Sequence, residues 1–377
     1  MRTGIINIAG SFAAVIFLLA QGGIPAGGQE PAMRSSWMIT SEEVPPLYTQ
    51  DTLTICFLGD MMMHTNQILN AQRTGQEYDF SSYFSLIGDR IAEADIAVAN
   101  MEFTLAGEPY TGYPEFSAPD SFARYLADCG TDVFLAANNH IFDKGSEGAA
   151  RTLEIYRELE RSHGIKVTGI AENEEARQEN HPLLIRRKGV VVAFINFTYG
   201  TNLGGQKHWP KTNYLNDVQG LEDAIRKAEE KADMTIALPH WGPEYQLMHS
   251  QKQEDTARWL TEAGADLIIG THPHVVQDTT TVNGVKVAYS LGNAVSNMSA
   301  ANTQLELMAV QKIVRKSNGD IELLPLELTW LWCSRPGGFG PGYTVIPVED
   351  YIGRRDEWSG KWDYDKMVST YERIKND

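Results

Sequence analysis

Ala265-Asp266-Leu267-Ile268-Ile269-Gly270-Thr271-His272-Pro273-His274 carries an apolar run into two histidines separated by a single residue. The run reads as a buried strand that ends at Gly270. In an extended segment, side chains two apart share a face. His272 and His274 are therefore expected to present two imidazoles to one point, with Pro273 stiffening the link because its φ is fixed. Neutral imidazole is the commonest metal ligand. A lone His-x-His is a weak signal, and its weight here comes from other strand ends of the same design.

Four further apolar runs stop at polar donors. Residues 52–58 end at Gly59-Asp60, residues 96–99 at Asn100-Met101-Glu102, residues 132–137 at Asn138-Asn139-His140, and residues 234–238 at Pro239-His240-Trp241-Gly242. Residues 190–197 and 285–291 are also strand-like, the latter ending at Gly292-Asn293. Between the runs, residues 81–94, 120–129, 146–163, 217–232 and 251–264 place apolar side chains at spacings of three and four, as helices do. Strands alternating with helices predict an α/β fold of central β-sheets flanked by helices. Toward the C-terminus, residues 305–314 and 321–328 predict a hairpin around Ser317-Asn318-Gly319-Asp320, residues 334–347 a Gly- and Pro-rich loop, and residues 356–377 a polar terminal helix.

In open α/β sheets, ligands bind outside the carboxyl ends of the strands. Asp60, Glu102, Asn139, His140, His240, His272 and His274 are expected to converge there from five strand ends. Carboxylate and imidazole donors without cysteine suit Zn, Mn or Fe. So many donors exceed one tetrahedral site and suit two ions, which can clamp the attacking and leaving oxygens of a displacement. Singly, each residue has a plainer reading: Asp60 as a helix N-cap, Asn139 and Asn293 as turn residues, His240 as a hydrogen-bonded core partner of Trp241. Their shared position at strand ends argues for a common site. His64, His163, His181, His208 and His249 lack that context and are read as surface or linker histidines. Met61 to Met63, Trp330 and Trp332 are read as core.

The 377-residue chain carries a formal net charge of −17. That balance argues against nucleic acid, whose phosphates are bound by basic patches. Cys56, Cys129 and Cys333 offer neither a disulfide framework nor zinc-finger spacing. Residues 1–28 combine Arg2, an apolar stretch from Ile5 to Ala20 and Gly- and Pro-containing sequence. This is an export signal, or alternatively an uncleaved membrane anchor. Residues 29–50 read as a linker, 51–348 as the main domain and 349–377 as a C-terminal helical extension.

Several segments together resemble the CapA family of capsule-synthesis proteins. They are Phe57-Leu58-Gly59-Asp60, Asn100-x-Glu102, Ala137-Asn138-Asn139-His140-x-x-Asp143-x-Gly145, His240-Trp241-Gly242-x-Glu244-Tyr245, Gly264 through Gln277, and Tyr289-Ser290-Leu291-Gly292-Asn293. The resemblance spans roughly residues 52–295. It implies a metallophosphoesterase-like layered fold and a link to poly-γ-glutamate or a related envelope polymer. It also implies Asp60, Glu102, Asn139, His240, His272 and His274 as ligands of two divalent ions. His140 would be a non-ligand histidine aiding the leaving group, and Asp143 its orienting partner. Asn100, Trp241 and Glu244 match family positions without an assigned role. Two departures from metallophosphoesterases stand out, and relatives in the family share them. Met62 stands where an Asp-x-His motif has its histidine, with His64 two positions further on, and Asn100-x-Glu102 replaces Gly-Asp-x-x-Asp. Ala294 stands where the family commonly has Phe. The resemblance implies an exported hydrolase whose metal-activated water attacks a phosphoester or a γ-glutamyl amide. The alternative is a non-catalytic subunit that binds polymer within a membrane-bound synthesis and export complex.

Overall fold

Alternate side chains of the first apolar run enter two different cores. Leu53, Ile55 and Phe57 face one way, Cys56 and Leu58 the other. This is the period-two geometry of a strand buried on both faces. The computed structural model describes residues 52–75, 77–203 and 208–375. The export or anchor segment and the linker read in residues 1–50 lie outside the described residues.

In chain order the elements are β1 (Thr52–Met61), α1 (Thr65–Ala71), α2 (Gly88–Ala92), β2 (Ile96–Met101), α3 (Asp120–Asp128), β3 (Val133–Leu135), α4 (Gly145–His163), β4 (Lys166–Thr168), β5 (Ile170–Ala171), α5 (Glu174–Asn180), β6 (Leu183–Arg187), β7 (Val190–Thr198), β8 (Lys211–Thr212), α6 (Val218–Lys231), β9 (Met234–His240), α7 (Gln251–Ala263), β10 (Leu267–Ile269), β11 (Thr279–Val282), β12 (Val285–Ala288), β13 (Leu305–Arg315), β14 (Ile321–Leu323), β15 (Glu327–Ser334), β16 (Thr344–Pro347), α8 (Val348–Tyr351) and α9 (Lys361–Lys375). One sheet runs β16-β15-β13-β1-β2-β3-β4, with β14 paired to β13, and the other runs β11-β12-β10-β9-β7-β6. The strands β1 to β4 are mutually parallel, as are β7, β9, β10 and β12.

The sheets face each other across an apolar core. Phe57, Val98 and Leu135 of the first meet Phe194, Ile236 and Ile269 of the second. Outside the first sheet, Ala97 and Phe134 pack with Phe122 and Leu126 of α3 and with Leu153, Tyr156 and Leu159 of α4. Outside the second, Ile195 and Ile268 pack with Leu221 and Ile225 of α6 and Leu260 of α7. The result is the layered α/β arrangement that the sequence predicts, with helices on the outer faces of two sheets. The helix ends follow local chemistry. Ser250 and Gln253 form a capping box on α7, and Gly164 closes α4 with φ +76°. Among the described residues, no helix is long and apolar enough to cross a membrane.

Several boundaries differ from the sequence reading. Of residues 81–94, only Gly88–Ala92 is α-helical. The Tyr83 carbonyl accepts from Val345 N–H (2.8 Å), and Phe84 N–H donates to Tyr125 Oη (2.9 Å), so tertiary partners replace helical ones. The predicted strand 321–328 splits into β14 and β15, which pair with successive parts of β13. The predicted loop 334–347 ends in β16, which pairs antiparallel with β15. The terminal helix starts at Lys361, later than residue 356. It is anchored by Asp363, which accepts from Ser334 Oγ (2.5 Å) and Trp332 Nε1 (3.3 Å).

Candidate metal centre

Two residues of β1 place the first donor. The register between β1 and β2 shifts between Leu58 and Asp60, a bulge of the kind that re-aims a side chain. Gly59 N–H donates to Glu306 Oε1 (3.3 Å), and Asp60 N–H donates to the Gly292 carbonyl (3.0 Å). A Cβ on Gly59 would lie 2.0 Å from that same carbonyl oxygen. Only glycine therefore lets β1 approach the Gly292 turn closely enough to deliver Asp60. Gly59→Ala is expected to cost about 3 kcal/mol or more, visible as a lowered denaturant midpoint with an unchanged slope.

From that point the donors converge. Asp60 Oδ1 accepts from Asn100 Nδ2 (2.7 Å), and Asp60 Oδ2 accepts from the His272 N–H (3.2 Å). Glu102 Oε1 lies 3.6 Å from His274 Nε2, 3.8 Å from His240 Nε2 and 3.9 Å from His140 Nε2. His240 Nε2 lies 2.8 Å from Asn139 Oδ1, and its Nδ1 lies 3.0 Å from Thr271 Oγ1. Asp60, Glu102, Asn139, His140, His240, His272 and His274 are all buried, and they come from the ends of β1, β2, β3, β9 and β10. Donor atoms of Glu102, His272 and His274 form one group within 4.8 Å of one another, and those of Asp60, Glu102 and His240 form a second. Glu102 belongs to both.

His272 and His274 meet the site by a route the sequence reading did not foresee. They are not extended: their φ values are +98° and +60°. Each lies in the left-handed region that residues with a Cβ disfavour, at a cost of roughly 1–3 kcal/mol. The turn follows from pairing on both sides. Thr271 N–H donates to the Pro239 carbonyl (3.0 Å), and Tyr245 N–H donates to the Pro273 carbonyl (2.8 Å). His274 Nδ1 donates to Asn293 Oδ1 (2.9 Å), which leaves Nε2 as the free electron pair facing Glu102. An outer partner that sets a ligand's tautomer in this way is usual around metals.

The electrostatics have one theme. Burial, then the Asp60 charge, pushes the Glu102 carboxyl well above the usual carboxylate range. Burial, then the neighbouring histidines, pushes His240 and His272 well below the usual imidazole value. Among the described residues, both Glu102 oxygens, Asn100 Oδ1 and His272 Nδ1 are buried without a hydrogen-bond partner. All four atoms can offer an electron pair. Buried polar atoms rarely lack partners, and a cluster of orphaned donors of this kind fits a divalent cation.

His140 stands beside this cluster. Its Nδ1 is held by Asp143 Oδ2 (2.6 Å), and that oxygen also accepts from Phe116 N–H (2.8 Å). The ring is thereby oriented with Nε2 toward Glu102. Asn100 bridges Asp60 and His240, with its Nδ2 3.2 Å from His240 Nδ1. Trp241 turns away from the donors: it is buried in the outer core, and its Nε1 donates to the Tyr289 carbonyl (2.9 Å). Glu244 is exposed, close enough for its charge to raise Glu102 and Tyr199.

Sequence reasoning passed over two neighbours, His64 and Tyr199, and one buried histidine away from the centre. His64, read as a surface or linker histidine, packs edge-on against Phe116 at 5.2 Å, and Phe116 in turn meets His140 at 4.6 Å. Burial above all, with His274 and His140 adding to it, pushes its pKa down to about 4. Tyr199 lies over His272, with ring centroids 4.5 Å apart. His181, also read as a surface or linker residue, is buried against Asn213. Isolated aromatic or histidine positions carry no local signal for such packing.

Glu306 lies behind Asp60 on β13. It is fully buried and its Oε2 has no partner among the described residues. Burial raises its carboxyl well above the ordinary value of 4.5, and Asp60 adds to the effect. A raised folded-state pKa contributes stability that is present below about 4.5 and lost as pH rises through the folded value. Glu306→Gln keeps an acceptor for Gly59 N–H and removes the charge. In thermal melts of metal-free protein, the variant is expected to match the parent near pH 4.5 and to exceed it increasingly toward pH 8.

Residues 54–298 match the family described as Bacterial capsule synthesis protein PGA_cap. Capsule biosynthesis protein CapA of Bacillus anthracis is 26% identical over 309 residues, covering 78% of this chain and 72% of that protein. PGA biosynthesis protein CapA of Bacillus subtilis (strain 168) is 25% identical over 292 residues, covering 74% of this chain and 73% of that protein. Among solved structures, a putative 5'-nucleotidase from Staphylococcus aureus in complex with alpha-ketoglutarate aligns with a TM-score of 0.47 at 14% identity, over 74% of this chain. A 5'-nucleotidase precursor from Thermus thermophilus aligns with a TM-score of 0.43 at 14% identity, over 86% of this chain. The alignments take in 54% and 59% of those two chains, so this chain spans little more than half their length. The family match extends over well more than half of the sequence and includes every donor of the site, so the chain belongs to the bacterial capsule synthesis protein PGA_cap family.

Proposed function

We propose that this protein is an exported, metal-dependent hydrolase of capsule or related envelope-polymer metabolism, cleaving a phosphoester or a γ-glutamyl amide. The observation that carries the reading is the buried set of Asp60, Glu102, His240, His272 and His274, with both Glu102 oxygens unpartnered. Together with Asn139 these residues would hold two divalent ions, Mn, Zn or Fe. Such ions supply Lewis acidity and lower the pKa of water to roughly 7.

The chain's own groups supply the rest. Glu102, shared by both donor groups, is the candidate bridge between the two positions. Asp143 accepts the His140 Nδ1 proton, so in the doubly protonated ring the proton free to be delivered would be the one on Nε2, on the side of the cluster. That places a general acid beside the atom that leaves. Asn293 and Thr271 hold the rings of His274 and His240 in place, and Tyr199 shields His272 from water. The apolar stretch in residues 1–28 supports export, and capsule biosynthesis in the names of the relatives supports an envelope polymer as partner.

The test is hydrolysis by protein loaded with Mn, Zn or Fe. The substrates are defined γ-linked glutamate oligomers and a chromogenic phosphodiester, assayed with and without chelator. Chelator-sensitive cleavage of either is expected. Metal binding without cleavage of any substrate would replace the hydrolase with the polymer-binding assembly role.

A further inference from the structure

A concavity of about 360 Å³ opens between α5 and α6, and none of its lining residues is a donor of the metal centre. His181 forms part of its wall and is only 6% exposed. Asn213 holds the ring from behind. Asn213 Nδ2 donates to the Asn196 carbonyl (3.0 Å), which fixes the amide orientation, and the same nitrogen lies 3.1 Å from His181 Nδ1. An amide nitrogen only donates, so Nδ1 accepts and the proton of the neutral ring sits on Nε2. Burial, then the Arg177 charge, with Lys227 adding to it and Asp217 opposing, pushes this histidine down to about 3, so the ring is neutral at physiological pH. With Nδ1 turned inward, Nε2 lies on the other edge of the ring, the edge toward the cavity. That N–H is buried and has no partner among the described residues, which is rare for a buried donor.

The rest of the wall suits an acceptor of negative charge. On a chain of formal net charge −17, it carries Arg177, Arg226 and Lys227 against Glu174 and Asp223. Asp223 is taken up by Arg226 (3.1 Å). Lys227 is half-buried and makes no ion pair among the described residues. Arg177 reaches from α5 to pair with Asp217, the N-cap of α6, and this engages one of its five N–H groups. Gly220 admits it, since a Cβ there would lie 2.8 Å from Arg177 Nη2.

We propose that the cavity between α5 and α6 is a binding site for a small hydroxylated phosphomonoester, its phosphoryl oxygens held by His181 Nε2–H, the Arg177 guanidinium and the Lys227 ammonium. A phosphoryl group offers three terminal oxygens to these three donors, where a carboxylate offers two. Hydrogen bonds from charged donors to such oxygens are among the strong ones. Pockets that take a whole small ligand run to roughly 300–1,000 Å³, so the cavity has room for the group that carries the phosphate. Glu174 and Asp223 accept from hydroxyls on that group and repel further anionic charge, which favours a monoester over a polyanion.

The experiment is titration calorimetry of the full chain as purified, in phosphate-free buffer. The probe is 3,4-dihydroxybutyl phosphonate, whose C–P bond a phosphoesterase does not cut, and its comparison is the carboxylate with the same diol. The parent is expected to bind the phosphonate roughly tenfold more tightly than the carboxylate. Lys227→Met keeps the apolar stem of the side chain and is expected to melt like the parent while binding the phosphonate roughly tenfold more weakly, the loss of one charged hydrogen bond. His181→Phe removes the buried N–H and is expected to weaken binding to a similar degree. If it does not fold, Lys227→Met decides by itself. No binding by the parent, equal binding of the two probes, or phosphonate binding unchanged in Lys227→Met would overturn the site, and the last result would place the anion at the metal centre instead.

Discussion

His140→Ala is expected to lower kcat/KM by about 100- to 1,000-fold while leaving the metal content unchanged. The magnitude is that of removing one positioned donor of a proton or hydrogen bond from a water-excluded site. The split between activity and metal follows from geometry. His140 Nε2 is 3.9 Å from Glu102 Oε1, and its other nitrogen is committed to Asp143 at 2.6 Å. The Asp60, Glu102, His240, His272 and His274 donor groups are complete without it. Elemental analysis alongside steady-state kinetics reads both quantities. Metal loss in His140→Ala would make His140 a ligand, and full activity would remove it from the chemistry. Asp143→Asn is expected to fall between the two, because it keeps the ring in place but weakens its hold on the Nδ1 proton.

Glu102→Gln carries the second large effect, with opposite signs in the two states of the protein. Without metal, Glu102 is a buried carboxyl with two unpartnered oxygens beside Asp60. An uncompensated buried charge costs several kcal/mol, roughly 3–5. The neutral amide removes that charge, so the metal-free variant is expected to be more stable than the parent at pH 8. The raised folded pKa puts the difference at pH values above about 4.5, and it fades as pH falls toward that value. With metal the order reverses. A ligand held at about 1,000 times its Kd stabilises the folded state by ~4 kcal/mol. The parent gains this and the variant, lacking the residue shared by both donor groups, does not. Melting curves with chelator and with excess Mn or Zn read both signs. Equal metal-induced shifts in parent and variant would exclude Glu102 as a ligand.

The parts legible in the sequence were those that depend on near neighbours. Apolar runs of strand length ending in Asp60, Glu102, Asn139, His240 and His272 announce themselves, because a strand buried on both faces admits few polar residues before its end. Alternation with amphipathic helices then leaves a layered α/β arrangement as the consistent solution. Boundaries failed where a distant segment supplied the partner. Residues 81–87 gave up helical bonding because Val345 and Tyr125 take up their backbone groups. Thr344–Pro347 became a strand because β15 was available as an edge.

The sequence by itself determined which residues could form a metal centre and in which order along the chain they would be delivered. It also determined the acidic balance and the family. Tertiary structure alone decided how the donors meet. The centre lies where the ends of β1, β2 and β3 in one sheet face those of β9 and β10 in the other, and residues far apart in the chain complete each ligand's surroundings. Asn293 sets the His274 tautomer, Gly292 admits Gly59, Glu306 supports the bulge, and Tyr199 covers His272. None of these pairings has a local signature, since each arises from packing two sheets together. The left-handed backbone at His272 and His274 is the clearest case: a conformation unfavourable in isolation is held because the contacts on both sides of it leave no other path.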